Sequence, residues 1–518
     1  MRAFWLTLIF PLVSAVTVPI LLSAGDAPSL SGNLISLSIE QDRWLDWVGN
    51  VTRNSFFFNT LDNLVALTGD SPTIRIGADS EDHTNFNPSV QFVQQVFPPP
   101  TTTVPYPEAT NIVAGPGFYQ GAQFLPPGTG VTWGVNFGGK NLTAVFLETQ
   151  AIIKAFASPA LKNADITLDF LELGNEADLY RNNGLRPSSY TVSQYTAEWI
   201  TFATNMTRTA NLAGSDTKIW GGAFAGSSHT KTDFSPQGIF ANGILNSEPG
   251  KFIDTISQHH YSGSFCTGSG GLLQDLMTKS TIRSNLSSFI PDIQATQDQN
   301  LDYVFGETNS YSCHGAPGVS NTAGAALWTL DYALFASQLG ISKVFFHEGI
   351  GYKYNLIQPA TLTRSTLDGS TLATPLKPHV QPQYYAAIIA AEAIGDSGET
   401  QALELNINNT RIAGYAFYES GSLKRAVFIN SLAFLSGATT RTSTHLDLTF
   451  SGTGTKPTSF SVKRLVIGHA DDVSGLTWGG QTYETSDARV GGTATSETGT
   501  VAAGIDIPAT QAVLITFK

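Results

Sequence analysis

Between residues 30 and 395, short β-rich runs alternate with longer helical patterns, and this alternation restricts the possible fold more than any other feature. Eight runs predict strands, at Leu34–Ile39, Thr73–Ile76, Val131–Phe137, Ile166–Leu173, Lys218–Phe224, Phe252–His259, Leu301–Phe305 and Ile341–Phe346. Helix-like segments lie between the later runs, at Val192–Leu212, Leu272–Phe289, Ala323–Leu339 and Tyr384–Ile394. Eight strands that alternate with helices predict an α/β protein built on a (β/α)8 TIM barrel.

The pattern changes after about residue 400. Alternating runs separated by Gly, Thr and Ser recur at Arg411–Tyr418, Lys424–Ile429, Ser459–Leu465 and Ala512–Phe517. A period of two predicts strands, so residues 396–518 are expected to form an all-β sandwich domain after the barrel of residues 30–395. Residues 16–29 contain a β-prone segment, which is expected to add a strand to that sandwich.

One long stretch of the barrel region matches neither pattern. Phe97–Gly130 is rich in Pro, Thr and Gly and lies between the second and third predicted strands. Such a composition predicts a surface loop, and loops at this position of a barrel can form a wall of the cleft.

The N-terminus has the features of a secretory signal peptide spanning residues 1–15. Arg2 precedes the apolar run Ala3–Val13, and Val13-Ser14-Ala15 is a small-residue cleavage pattern. A buried N-terminal strand is the alternative. Five Asn-x-Ser/Thr sequons agree with secretion, at Asn50, Asn141, Asn205, Asn285 and Asn408. The sequence therefore predicts a secreted, extracellular glycoprotein.

The chain contains two cysteines, Cys266 and Cys313. In an oxidising compartment we expect them to form one disulfide, which in the chain-entropy model contributes roughly 4 kcal/mol. Two buried thiols are an alternative. A metal site is disfavoured because neither residue belongs to a Cys-x-x-Cys pattern.

The charge balance excludes two classes of partner. The chain has 28 Lys and Arg against 41 Asp and Glu, a formal net charge of −13. Nucleic acids and anionic membrane surfaces are bound through Lys and Arg, so neither is an expected partner. After the N-terminal run, no apolar stretch approaches the ~20 residues that span a bilayer.

Two predicted strands end in glutamates that suit sugar chemistry. Asn175 and Glu176 follow the fourth strand, and Glu307 follows the seventh. The ends of these strands face each other across a barrel mouth, where two carboxyl groups can cleave a glycosidic bond. Glu307 would be the ionised nucleophile, and Glu176 would be the general acid with a raised pKa. Alternatively, Glu176 caps the next helix and Glu307 is a surface loop residue.

With further segments, these strand ends resemble the β-glucuronidase and heparanase-like glycoside hydrolases of family 79. The resemblance covers the whole chain and is carried by Ser36–Glu40, Thr73–Gly77, Leu173–Ala177, Gln258–Tyr261, Phe305–Asn309 and Gly349–Tyr354. The Asn-Glu pair is common among barrel glycosidases, whereas its combination with His259-His260-Tyr261 is more specific. A retaining enzyme with this fold, and without cofactor or metal, is what the resemblance implies.

The resemblance also implies roles for individual residues. Glu176 would be the acid/base and Glu307 the nucleophile, while Asn175 would bind the sugar 2-hydroxyl. Tyr261 would place its phenol near the nucleophile, and Glu40 would bind a sugar hydroxyl. Because adjacent side chains of a strand point to opposite faces, His259 and His260 cannot both face inward.

A uronic acid substrate needs a group that holds its carboxylate. Lys353 and Arg75 are candidates by position, although Arg75 is better explained as the buried partner of a catalytic carboxylate. The segment after the eighth strand offers glycine amides and a phenol, which can form an anion-binding nest. The resemblance favours this segment, with Gly351, Tyr352 and Tyr311 as contacts.

We therefore expect a secreted retaining exo-β-glucuronidase that removes terminal β-linked glucuronic acid, or its 4-O-methyl form, from glycans such as arabinogalactan side chains. No run of three basic residues occurs, which disfavours an endo-acting enzyme that grips sulfated polysaccharide. The alternatives are an endo-β-glucuronidase, a neutral-sugar β-glycosidase of the same barrel class, and a secreted carbohydrate-binding protein without catalysis.

Overall fold

A computed structural model describes residues 15–518, so the predicted signal peptide lies almost wholly outside the described residues. Eight parallel strands close into a barrel, each paired with its neighbours in chain order and the last with the first. They are β1 Ile35–Glu40, β2 Ile74–Gly77, β3 Gly130–Val135, β4 Thr167–Leu173, β5 Lys218–Phe224, β6 Ile253–Ser264, β7 Asp302–Ser312 and β8 Lys343–Glu348. The predicted TIM barrel is confirmed.

Helices pack around the barrel, and several of them begin directly after a capping side chain. The longer ones are Ser55–Thr68, Leu142–Phe156, Val192–Ala210, Lys279–Ser287, Ile290–Gln297, Ala323–Gln338 and Tyr384–Ile394. Shorter ones are Trp44–Val48, Pro116–Gln120, Pro159–Asn163, Tyr180–Asn183, Pro236–Ala241 and Leu273–Met277. Thr191, for example, forms a capping box with Gln194. The single helix predicted over Leu272–Phe289 is wrong, because Thr278 has an extended backbone that separates two helices.

The predicted loop between β2 and β3 contains regular structure, which corrects the expectation. The strand Asn111–Ala114 and the helix Pro116–Gln120 lie within the predicted loop Phe97–Gly130. The strand forms a small sheet with Thr84–Phe86 and Val93–Val96, which precede that loop. The phenol of Tyr106 accepts hydrogen bonds from the amides of Thr363 and Arg364, in the segment after β8. The insertion is therefore attached to the loops around the barrel mouth.

The C-terminal domain is a β-sandwich, as predicted. Its larger sheet contains Thr400–Glu404, Ile412–Glu419, Ser422–Asn430, Ser459–Val466, Thr477–Trp478, Gln481–Thr482, Gly491–Gly492, Glu497–Thr500 and Gln511–Phe517. Its smaller sheet contains Ala15–Leu21, Ser443–Ser451 and Ile505–Pro508. Apolar side chains of both sheets, such as Val18, Phe428 and Leu446, form one core. The N-terminal strand lies in this domain, paired in parallel with Ser443–Ser451.

Buried ion pairs and hydrogen bonds join the sandwich to the barrel. The guanidinium of Arg283, on the barrel helix Lys279–Ser287, donates to Asp331 on the barrel helix Ala323–Gln338. It also donates to Glu404 and to the phenol of Tyr415, both in the sandwich. Because the guanidinium of Arg283 donates to acceptors in both domains, this contact holds the sandwich in position against the barrel.

Several features bear on the sequence predictions outside the barrel core. Cys266 and Cys313 form a disulfide that links the loops after β6 and β7. Among the sequons, Asn50, Asn141 and Asn408 are exposed, while Asn205 and Asn285 lie half-buried in helices. No helix within residues 15–518 has the length and apolar character needed to cross a bilayer.

Side chains inside the barrel form layers of different polarity. Phe170, Trp220, Val304 and Phe345 fill the lower layer, toward the N-terminal ends of the strands. Charged and hydroxyl groups occupy the level above, and the arrangement arises because alternate residues of each strand point inward. The apolar layer closes the bottom of the barrel, so the polar side chains open only toward the mouth.

Candidate active site

The turn after β4 places Glu176 at the barrel mouth through two residues with positive φ. Gly174 has φ +79°, and a Cβ there would lie 2.6 Å from the Cβ of Phe137 and from the phenol of Tyr180. Glu176 has φ +50°, a region that non-glycine residues rarely adopt. Its amide donates to the carbonyl of Ala223 at 2.8 Å, which holds the strained backbone against β5. Such strain persists only where the surroundings enforce it.

Glu176 and Glu307 converge from opposite sides of the mouth. One carboxylate oxygen of each and one ring nitrogen of His259 lie within 4.8 Å of one another. The side chain of Glu176 is 21% exposed, whereas that of Glu307 is 8% exposed. A substrate can therefore reach both carboxyl groups from the mouth, with Glu307 at the floor.

Glu307 is surrounded by donors that favour its ionised form. The Tyr261 phenol donates to Oε1 at 2.7 Å, and Nη1 of Arg75 donates to Oε2 at 2.8 Å. Nδ1 of His347 lies 3.9 Å from the same Oε2. Burial by itself would raise the pKa of Glu307, but the positive charges of His347 and Arg75 outweigh burial and hold the pKa far below its usual range.

Arg75 forms hydrogen bonds to several polar side chains at the floor of the site and so connects them. It is fully buried, and its Nε and Nη2 donate to Oε1 of Glu172 on β4. Nη1 donates to the hydroxyl of Ser38 as well as to Glu307, and Nη2 also donates to Oδ1 of Asn175. Arg75 is thus the buried partner of a site carboxylate, the role that the sequence favoured.

Glu176 has the opposite electrostatic environment. Burial raises its pKa well above the ordinary value, and the nearby charges of Glu307 and Asp178 raise it further. Nδ1 of His259 lies 2.9 Å from Oε1 of Glu176. Burial lowers the pKa of His259 to about 4, so its imidazole is neutral and does not oppose protonation of Glu176. The surroundings therefore shift the pKa values of the two carboxyl groups in opposite directions.

Asn175 has its amide oriented by the same arginine. Oδ1 accepts from Arg75 at 2.9 Å, and the backbone amide donates to Oδ2 of Asp82 at 3.3 Å. With its oxygen engaged, the side chain presents its NH2 group as a donor. This geometry suits the predicted bond to a sugar hydroxyl.

Glu40 lies at the end of β1, where its carboxylate is held on both sides. Oε1 accepts from the backbone amide of Ser80 at 2.8 Å and from the Ser80 hydroxyl. Oε2 lies 3.2 Å from Nε2 of His347. Burial opposes the charged imidazole, but the negative charges of Glu307 and Glu40 raise the pKa of His347 to about 9. A cationic imidazole therefore links Glu40 to Glu307.

The segment after β8 does not form the anion-binding nest that the sequence suggested. The amide of Gly351 donates to Oε1 of Gln358 at 3.0 Å, and that of Gly349 donates to Oδ1 of Asn355 at 3.1 Å. The amide of Tyr352 donates to the carbonyl of Gly349. Since the chain's own acceptors use these amides, a bound carboxylate would have to displace them. The Tyr352 phenol remains a candidate contact.

Two other candidates for the carboxylate lie in the wall of the cleft. Nζ of Lys353 donates to the carbonyl of Thr103 at 3.4 Å and lies 5.4 Å from the centre of the Phe265 ring. Tyr311 packs on the glycines of the disulfide-linked loop, close enough that a Cβ at Gly271 would meet its phenol at 2.0 Å. These contacts hold the wall together, and they do not bring either side chain to Glu176 or Glu307.

Comparisons with known proteins relate this chain to glycoside hydrolases. Residues 414–514 match the glycosyl hydrolase family 79 C-terminal beta domain. The chain is 28% identical over 472 residues to a beta-glucuronidase of Aspergillus niger, an alignment that covers 87% of this chain and 82% of that protein. A beta-glucuronidase of Neurospora crassa is also 28% identical, over 497 residues, covering 87% of this chain and 84% of the relative.

A solved structure extends the likeness to the barrel. It is a 4-O-alpha-L-rhamnosyl-beta-D-glucuronidase from Fusarium oxysporum 12S, solved as a Rha-GlcA complex. Its TM-score is 0.78 at 26% identity, and the match covers 97% of this chain and all of that chain. The chain belongs to glycoside hydrolase family 79. This family 79 protein is therefore a glycoside hydrolase, and the carbohydrate-binding alternative without catalysis is set aside.

The spacing of Glu176, His259 and Glu307 would also suit three ligands of a metal ion. In this family 79 hydrolase, however, a buried guanidinium already binds one oxygen of Glu307, and a phenol binds the other. A fixed positive charge beside the carboxylate repels a cation, so the donor set does not fit a metal.

The sequence interpretation missed several residues of the family 79 site. His347 lies on β8 two residues before the loop in which contacts were sought, and Glu172 lies four residues before Glu176. Glu172 alternates with the apolar residues Leu171 and Leu173, and this period of two was the available signal. The signal was weaker for His347, which has Phe346 on one side and Glu348 on the other. Ser80 gave no signal, since its role depends on how the turn after β2 folds back onto Glu40.

Proposed function

We propose that this family 79 hydrolase is a retaining β-glucuronidase. The observation that carries the mechanism is the contrast between the surroundings of two neighbouring carboxyl groups, which lower the pKa of Glu307 and raise the pKa of Glu176. Retaining glycosidases have the two groups about 5–5.5 Å apart, whereas inverting ones need about 6.5–9.5 Å to admit water. A separation within 4.8 Å between oxygens of Glu176 and Glu307 supports the retaining class.

The proposed reaction proceeds in two displacements. In the first, an oxygen of Glu307 attacks the anomeric carbon while Glu176 gives its proton to the leaving oxygen. In the second, the Glu176 carboxylate takes a proton from water, and the water oxygen displaces Glu307 from the anomeric carbon. Each step inverts the configuration, so the product retains it. The amide of Asn175 would stabilise charge at the sugar 2-hydroxyl.

The sugar is proposed from the relatives. Both curated relatives are named beta-glucuronidase, and the Fusarium structure is named for a rhamnosylated glucuronide. We propose terminal β-linked glucuronic acid, including its 4-O-methyl form, on glycans such as arabinogalactan side chains. Tyr352 and Tyr261 are the proposed phenol contacts of the sugar, and Glu40 is the proposed ligand of a hydroxyl.

Secretion and exo action belong to the same proposal. The signal pattern of residues 1–15, the five sequons and the disulfide support an extracellular protein. The insertion between β2 and β3 contacts the segment after β8 through Thr103 and Tyr106, which supports a walled site for a terminal sugar. Scarce basic residues further disfavour an endo enzyme acting on sulfated chains.

A substrate panel tests this function. The purified protein is assayed on the aryl β-glucuronide, its 4-O-methyl and 4-O-α-L-rhamnosyl forms, and the aryl β-glucoside and β-galactoside. We expect turnover of one or more uronides, with proton NMR showing the β-anomer first. Faster turnover of a neutral glycoside would overturn the substrate, and initial release of the α-anomer would overturn the retaining mechanism.

A further inference from the structure

A second pair of glutamates lies beneath the catalytic pair, inside the barrel. Glu81 follows β2 in the turn Asp79–His83 and is fully buried. Its carboxyl group lies against two glycines of neighbouring strands. A Cβ at Gly134 would come within 1.9 Å of Oε2 of Glu81, and one at Gly77 within 2.5 Å. Because Gly134 pairs with Glu172 across β3 and β4, Glu81 lies beside Glu172.

The only cation near Glu81 among the described residues has no donor left for it. Nη2 of Arg75 lies 3.8 Å from Oε2 of Glu81, too far for a hydrogen bond. An arginine has five N–H groups, and those of Arg75 are engaged by Glu172 twice and by Ser38, Glu307 and Asn175. Within residues 15–518, neither oxygen of Glu81 has a hydrogen-bond partner, and neither has Oε2 of Glu172.

An ionised carboxylate in this position would be costly. It would be buried without donors, beside Glu172 and near two further acids, Asp82 and Glu148. Burial and the charge of Glu172 raise the pKa of Glu81 well above its usual range, against the smaller opposing effect of Arg75. A neutral carboxylic acid, by contrast, carries an O–H donor, and the unpartnered Oε2 of Glu172 is a matching acceptor.

We propose that Glu81 is a neutral acid whose O–H is hydrogen-bonded to Oε2 of Glu172, directly or through one water molecule. Glu81 is then a positioning residue. It holds Glu172, which holds the guanidinium of Arg75, which binds Glu307 and orients Asn175. The protonation of Glu81 stands independently of the reaction, whereas its positioning role rests on the proposed function.

Infrared difference spectroscopy tests the protonation without substrate. The spectrum of Glu81→Gln is subtracted from that of the wild type in deuterated buffer at neutral pH. We expect the difference to contain the C=O stretch of one protonated carboxyl group. Loss of a carboxylate band instead would overturn the proposal. Failure of Glu81→Gln to fold would also overturn it, because an amide should replace a neutral acid without repulsion.

Kinetics test the positioning role with two substitutions and a control. Glu81→Gln keeps a neutral donor, so kcat/KM and the basic limb of its pH profile should stay close to wild type. Glu81→Met removes the donor and should lower kcat/KM by about tenfold. Glu148→Gln is the control, since Glu148 is equally buried but bonds to Asn136 and Tyr119.

The results of the two experiments can be separated. A shift of the basic limb in Glu81→Gln would mean that a charge had been removed, and would overturn the neutral acid. Equal activity in Glu81→Met and Glu81→Gln would overturn the positioning role. If the wild type cleaves no glycoside, the proposed function fails, while the infrared result still decides the protonation of Glu81.

Discussion

The guanidinium of Arg75 and the carboxylate of Glu307 form an ion pair of 2.8 Å at the floor of the barrel mouth, with Arg75 fully buried. A buried ion pair is expensive to form, and removing one partner leaves an uncompensated charge. Here the cost is offset by further bonds of Arg75 to Glu172, Ser38 and Asn175. The pair keeps Glu307 ionised beside Glu176, which is the condition for its proposed role as nucleophile.

Glu307→Gln is expected to abolish turnover while the protein stays folded. The amide cannot attack the anomeric carbon, so kcat/KM on an aryl β-glucuronide should fall by about 10⁴-fold or more. Circular dichroism and thermal unfolding would verify the fold. Near-normal activity in this variant would rule out Glu307 as the nucleophile.

Glu176→Ala should affect substrates according to their leaving groups. Aglycones that depart without a proton should be cleaved with little loss in the first step, whereas poor leaving groups should lose about 10²–10⁴-fold. Azide should restore turnover and give a β-glycosyl azide, since the anion attacks without a general base. An equal loss across all leaving groups would contradict the acid role.

The pKa of Glu176 should depend on the charge of Glu307. Apart from burial, the negative charge of Glu307 is the largest cause of the raised pKa of Glu176. Because the acid must be protonated, kcat/KM should fall as the pH rises through this pKa. In Glu307→Gln the charge is absent, so a ¹³C NMR titration should find a lower pKa for Glu176. An unchanged value would show that the two groups do not interact.

Tyr261→Phe removes the phenol that donates to Oε1 of Glu307 at 2.7 Å. The carboxylate loses a stabilising bond, so the pKa of Glu307 should rise and kcat should fall by about tenfold. The matched control is Tyr303→Phe, whose phenol donates to Gln258 away from the carboxylates. Equal effects in both variants would mean that the Tyr261 loss is one of packing.

His347 should make the stability of the protein depend on pH. Its pKa is raised from 6.5 to about 9 in the folded state. A raised pKa stabilises the fold fully below the unfolded value of 6.5, and this contribution is lost as the pH rises toward 9. The free energy of unfolding, measured with urea, should therefore decrease as the pH rises over this range. The decrease should be smaller in His347→Gln. Parallel profiles for the two proteins would exclude a charged His347.

The orientation of His259 and His260 on β6 illustrates what the alternation within one strand can predict and what it cannot. Alternation established that His259 and His260 face opposite ways, but it did not tell which faces inward. In the structure His259 lies beside Glu176, while Nδ1 of His260 lies 2.8 Å from the phenol of Tyr332 outside the barrel. The register between β6 and β7 shifts between Gln258 and His259, and such a shift is a property of two strands together that the pattern of one strand does not contain.

The amino-acid sequence by itself determined the barrel, the sandwich and the two strand ends that carry Glu176 and Glu307. These follow from local periodicity, because the polar end of each strand is a property of one short segment. Only the tertiary structure decided which hydrogen-bond donors pair with which acceptors, and which charges pair with each other. Arg75 donates to both Glu172 and Glu307, and the amide of Gly351 donates to Gln358. These pairs form because folding brings the groups within hydrogen-bond distance, which the pattern of one short segment does not show.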